Sequence, residues 1–130
     1  MIFRRNTWTP ALTFGGAAVG MTYGTQVGIW VRLGPIVFMY FRVVLTAKGS
    51  STGAAALSLP VTVLTFTDYR SASDIEAFNM TGGTVGTVGL VVISAGTTAN
   101  LFKTGGEANV TDADFTNTSV IQGSLMYLGV

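Results

Sequence analysis

Few side chains in this sequence have the types and spacing that chemistry requires. Asp112-Ala113-Asp114 opens like a calcium loop, in which alternating carboxylates supply hard oxygen ligands. Such a loop needs a glycine at its sixth position and a glutamate at its twelfth; Asn117 and Gly123 stand there instead. A solvated turn is the expectation. Asp74 and Glu76 are the right residue types for a paired-carboxylate glycoside hydrolase. Ser73 and Glu76 also stand at capping-box spacing, which predicts one turn of helix with Glu76 as its capping residue. Gly83, Gly86 and Gly89 repeat like a phosphate-binding loop. A dinucleotide fingerprint needs a helix after its glycines, whereas Leu90 to Ile93 reads as strand. Trp8, Trp30, Tyr23, Tyr40, Tyr69 and Tyr127 have rings that can stack on apolar sugar faces. Tyr69, between Asp68 and Arg70, is the one expected to be exposed.

Histidine and cysteine are both absent. That removes the commonest general base, thiol nucleophiles, disulfides and the usual soft metal ligands. The expectation is a protein with no catalytic residues, no cofactor and no metal.

The elements that must position these groups come from an unusual composition. The chain has 130 residues, about one domain's worth, with 48% hydrophobic and only 10% charged residues. Disorder is excluded by the hydrophobicity. A net charge of +1 argues against nucleic-acid binding, which needs clustered cations. No membrane span is expected, because the longest uncharged apolar stretch, Leu33 to Phe41, is closed by Arg32 and Arg42; a spanning helix needs about 20 apolar residues. Arg4 and Arg5 are not followed by the apolar run of a signal peptide. High apolarity with little charge points to a surface covered by other protein copies. The charge is also segregated. Arg4, Arg5, Arg32, Arg42 and Lys48 precede residue 66, and every acid follows it. Complementary ends meeting between copies would produce this, and so would acidic loops in water, the simpler reading.

Val, Ile, Thr, Phe and Tyr recur in short runs separated by Gly, Ser and Asn, which predicts strands throughout. The clearest unit is a hairpin, 27–33 and 36–47, turning at Gly34-Pro35. Gly supplies the positive φ of a type II′ turn, and proline fits the second position. Leu33 then faces Ile36, Val31 faces Phe38 and Ile29 faces Tyr40. Trp30, Arg32, Val37, Met39, Phe41, Val43 and Leu45 share the other face. Both faces are apolar, so one is expected to be core and the other a subunit interface. Further strands are expected at 11–14, 19–23, 55–59, 61–66, 84–93, 99–103 and 121–128, with turns at 49–53, Thr81-Gly82-Gly83 and Lys103-Thr104-Gly105-Gly106. The expected fold is all-β: a single antiparallel, jelly-roll-like β-sandwich of about eight short strands over 8–130, preceded by a docking arm, 1–7.

Trp8-Thr9-Pro10-Ala11-Leu12-Thr13-Phe14-Gly15-Gly16, then Gly20, Thr22 and Tyr23, Gly28-Ile29-Trp30-Val31-Arg32-Leu33-Gly34 and Leu45-Thr46-Ala47-Lys48-Gly49-Ser50-Ser51-Thr52-Gly53-Ala54-Ala55 resemble a module at the receptor-facing ends of tailed-bacteriophage tail fibres and tailspikes. The likeness covers residues 8–60. Leu57-Ser58-Leu59-Pro60 departs from the Ile-x-Gly-Leu-Pro of the pattern, and Gly34-Pro35 from its Gly-Asn turn. The resemblance implies a β-sandwich that assembles as a homotrimer. The functional expectation is a non-enzymatic virion protein: a minimal tail module that contacts host-surface glycan or, alternatively, a capsid decoration protein of the phage head. Arg4 and Arg5 are expected to dock on other virion proteins, in the tail nozzle or the capsid. Trp30, Phe38, Tyr40 and Arg42 are expected at the subunit interface, and Tyr69, Asn109 and Asn117 at the receptor.

Overall fold

The computed structural model describes residues 4–81, 86–103 and 108–130. Nine strands form in chain order: β1 (Asn6–Thr7), β2 (Leu12–Phe14), β3 (Thr22–Leu33), β4 (Ile36–Ala47), β5 (Ala55–Ser58), β6 (Arg70–Phe78), β7 (Gly86–Ile93), β8 (Thr98–Lys103) and β9 (Val120–Leu128). They make one antiparallel sheet, ordered β1-β3-β4-β9-β6-β7-β8-β5-β2, curled into a half-barrel. The expected antiparallel all-β class is what is observed, its core enclosed by one continuous sheet. Among the described residues the only helical element is a 3-10 turn, Asp112–Asp114, and no helix is long and apolar enough to cross a membrane.

The β3–β4 hairpin has the register its sequence predicts: Leu33 faces Ile36, Val31 faces Phe38 and Ile29 faces Tyr40. Gly34 has φ +56, the sign a type II′ turn demands of its first residue. Alternation then sorts β4 by side. Val37, Met39, Phe41, Val43 and Leu45 are buried in the core, with Leu90, Leu101 and Ile121 from other strands and Phe115 from outside the sheet.

Both sheet edges come from one stretch of chain. β1 pairs with β3, and after four intervening residues β2 pairs with β5 at the opposite edge. Side chains of β3 close the remaining gap. The Tyr23 hydroxyl accepts the Leu12 N–H at 3.0 Å, and Gln26 Nε2 donates to the Pro10 carbonyl at 2.9 Å. An edge that would otherwise present bare backbone groups is thereby blocked.

The glycine-rich runs of the N-terminal half meet in a single corner. Gly15 N–H donates to Ala54 O, Ser50 N–H to Val19 O, and Val19 N–H to Ser51 Oγ, each at 2.9 Å. Gly15, Gly49 and Gly53 have positive φ, and a Cβ on any of them would strike backbone across the corner. Only glycine permits both the conformation and the approach.

Two sequence expectations are corrected. Ser73 to Glu76 is not a helical turn but the middle of β6, where Ile75 is buried and Asp74 and Glu76 face outward. The period-two burial of Ile75 and Ala77 outweighs a spacing that only coincides with a capping box. Residues 61–66 form no strand. Val63 makes an isolated bridge to Gly129, while its neighbours bond to Tyr127 and Leu128, so no continuous ladder develops. The expected turns at Thr81-Gly82-Gly83 and Lys103-Thr104-Gly105-Gly106, position Gly83 and the first three residues of the arm fall wholly or largely outside the described residues.

Candidate functional site

The convex face of the sheet carries the surface the fold leaves uncovered. Phe38 is 46%, Tyr40 43% and Met126 54% exposed. Cross-strand partners point to the same side. Met126 faces Phe38 in the register of β4 and β9, and Val31 and Ile29 complete the patch from β3. Contiguous apolar patches larger than a few hundred Å² are rare on monomers and mark interaction sites.

Beside this patch the sheet divides. β6 and β9 pair only at Glu76–Gln122, Ala77–Ile121 and Phe78–Val120. Beyond Glu76 they separate where buried Ile75 crowds Gly123, at which a Cβ would collide with the isoleucine. Side chains stitch the far end: Ser71 Oγ donates to Met126 O at 2.6 Å, and the Leu128 N–H donates to the Tyr69 hydroxyl at 2.8 Å. Two grooves follow the division. One, of about 370 Å³, is lined by Tyr40, Asp74, Glu76, Gln122 and Ser124. The other, of about 290 Å³, is lined by Ile36, Tyr69, Arg70, Met126 and Leu128.

The polar groove is preorganised from one side. Arg42 Nε donates to Gln122 Oε1 at 3.0 Å, and Gln122 Nε2 donates to Glu76 Oε2 at 3.2 Å, a chain of bonds across three strands. Among the described residues the Asp74 carboxylate and the Tyr40 hydroxyl have no partner. The groove thus offers an exposed aromatic ring, one uncommitted carboxylate and one carboxylate already fixed in position. That combination suits a cationic or polyhydroxylated group.

The other carboxylates singled out in the sequence serve the fold. Asp114 pairs with Lys103 at 3.1 Å and accepts the Thr111 N–H at 2.9 Å. Asp112 Oδ1 accepts the Gly53 N–H at 2.9 Å, tying the 3-10 turn to the glycine corner. Among the described residues no cluster of three or more acidic side chains is arranged to hold a metal ion. The Tyr127 phenol has a displaced titration. Burial pushes its phenol up to about 12, although its hydrogen bond to Val61 O, 2.7 Å long, and the charge of Arg32 pull the other way.

The structure brings together Phe38, Tyr40 and Arg42 on the convex face; Trp30, opposite Met39, packs instead against the core side. Arg4 and Arg5 are exposed, while Asn6 and Thr7 of the expected arm join the sheet as β1. Tyr69 is half-buried, its hydroxyl bound at the Leu128 end of β9. Asn117 lies beyond the other end of that strand, where its Oδ1 accepts the Lys48 N–H at 3.0 Å. Asn109 is exposed and bridges to Phe102, away from Tyr69. The three expected receptor residues therefore do not share a surface. Sequence reading missed Gln122, Ser124 and Met126. Their signal was the alternation in Ile121 to Leu128, which puts the even positions opposite the core.

No family model matches this chain, and neither a curated protein nor a solved structure matches it.

Proposed function

We propose that this chain is a non-enzymatic structural protein of a tailed-bacteriophage virion, a tail-fibre or tailspike module that assembles as a homotrimer. The observation that carries the reading is the two-sided hairpin. One face of β4 is core, and the other exposes Phe38 and Tyr40 beside Met126. Assembly with further copies removes that apolar area from water, worth about 25 cal/mol per Å². The resemblance of residues 8–60 to tail modules supplies both the trimer and the setting. The N-terminal chain runs off β1 toward the Gly34 end, because Asn6 faces Trp30 and Thr7 faces Ile29. Arg4 and Arg5 there suit docking on an acidic protein surface. Asn109 and Asn117 lie toward the opposite end and are the residues suited to host-surface glycan.

Light scattering of the purified protein tests the assembly. A trimer mass at micromolar concentration is expected, falling to monomer in Phe38→Asp with the far-UV spectrum unchanged. A monomer mass for the natural sequence overturns the reading. Immunogold labelling of intact particles is expected on the tail; labelling of the head would return the decoration alternative.

A further inference from the structure

We infer that the arm of one copy docks in the polar groove of the next, Arg4 and Arg5 meeting Asp74 and Glu76 across the subunit boundary. The inference rests on the homomeric reading above and gives it a specific contact.

The charges of the described residues support it. Arg32 donates to the Gly34 and Gly129 carbonyls, Arg42 to Gln122, Lys48 to Asp112 O, and Lys103 pairs with Asp114. The guanidiniums of Arg4, Arg5 and Arg70 have no partner among the described residues, and neither have the Asp68 and Asp74 carboxylates. Arg70 stands on β6 itself, four residues from Asp74, about 13 Å along a strand that rises about 3.3 Å per residue, which is too far to pair with it. Uncommitted cations thus leave one side of the sheet, and an uncommitted acid lines a groove in its middle. They cannot meet within one copy. β1 is separated from β6 by β3, β4 and β9, four inter-strand steps. At about 4.8 Å each these amount to about 19 Å, more over a convex surface.

The groove's chemistry selects a guanidinium. Asp74 can take a bidentate pair of N–H donors. The exposed Tyr40 ring beside it offers its negative face to the same cation. Glu76 is already held by Gln122 and adds charge without having to be ordered. The contact is heterologous, arm to groove rather than like to like, and such contacts generate closed rings when the rotation allows. It also sets the β3–β4 side of one copy beside β9 and β6 of the next, continuous with the apolar patch. The segregation of basic residues before position 66 and acidic ones after it then has a structural use.

The absence of cysteine permits a direct test in the full chain. Arg5→Cys combined with Ser124→Cys is expected to yield, under mild oxidation, covalent species up to the trimer and no further. Each single variant should yield no such ladder. Independently, Asp74→Lys with Glu76→Lys should weaken association at least tenfold at low salt, and adding Arg4→Glu and Arg5→Glu should restore it to within threefold. Unchanged association in the charge-reversed variant, or no recovery in the full swap, overturns the arm contact. If Phe38→Asp dissociates the trimer while the charge variants leave it intact, the apolar interface stands and the arm contact falls. A natural sequence that stays monomeric overturns both.

Discussion

The glycine corner and the division between β6 and β9 are opposites in construction. In the corner, two runs more than thirty residues apart lock backbone to backbone, and Gly15, Gly49 and Gly53 leave no space for a side chain. At the division, two neighbouring strands part and side chains take over the bonding. The corner gathers the glycine runs of the sequence motif and is bonded largely backbone to backbone. The division carries no motif, yet it holds the aromatic ring and the uncommitted carboxylate. Motif density in this chain therefore marks where the fold is most constrained. Capacity to bind lies where the constraint is relaxed.

The largest expected effect breaks the corner. Gly49 has φ +77, and a Cβ there would meet Val19 O and the Met21 amide. The left-handed conformation costs a non-glycine residue about 1–2 kcal/mol, and a clash against backbone adds about 1–3 kcal/mol. Gly49→Ala is thus expected to lower stability by about 2–5 kcal/mol in urea titration. Gly123→Ala at the division meets only the Ile75 residue, without a positive φ. Its expected cost is about 1–3 kcal/mol. Equal losses at the two sites would remove the contrast.

How far this was legible depends on the range of the determining contact. The hairpin is written locally: a Gly-Pro turn fixes the register, and alternation fixes which residues of β4 share a face. The Ser73 to Glu76 segment has a local signal that points the wrong way, because the partners that make it a strand lie in β7 and β9. The exposed status of Phe38 and Tyr40 was open to either reading until the core was known to fill from Leu90 and Leu101. The division was not legible at all. It arises where Ile75 crosses Gly123, residues forty-eight positions apart whose contact exists only after the sheet has curled.

Tyr127 sharpens the comparison by pH. Its hydroxyl donates to Val61 O and accepts the Val61 N–H at 3.2 Å, holding the 61–66 segment beside the far end of the division. Its folded pKa of about 12 lies above the ordinary 10, so the stability it contributes is complete below pH 10 and lost as pH rises toward 12. The melting temperature is expected to fall across that window. Tyr127→Phe should start lower and fall less; an identical alkaline decline in the variant would assign it to other groups.

The smallest effect concerns the bonded chain Arg42–Gln122–Glu76. Each link joins exposed or half-buried side chains, where a hydrogen bond contributes about 0.5–1.5 kcal/mol at most and ordering long side chains offsets part of it. Gln122→Ala is expected to change monomer stability by less than about 1 kcal/mol. Its effect on assembly should be larger, since without Gln122 the Glu76 carboxylate is free to rotate away from the groove and Arg42 is released beside it. A mobile Arg42 then competes for Asp74. Association weakened severalfold, with monomer stability nearly unchanged, is the result that separates a surface organised for a partner from one organised for folding. The reverse pattern, lost stability with intact assembly, would place the chain of bonds with the corner rather than with the groove.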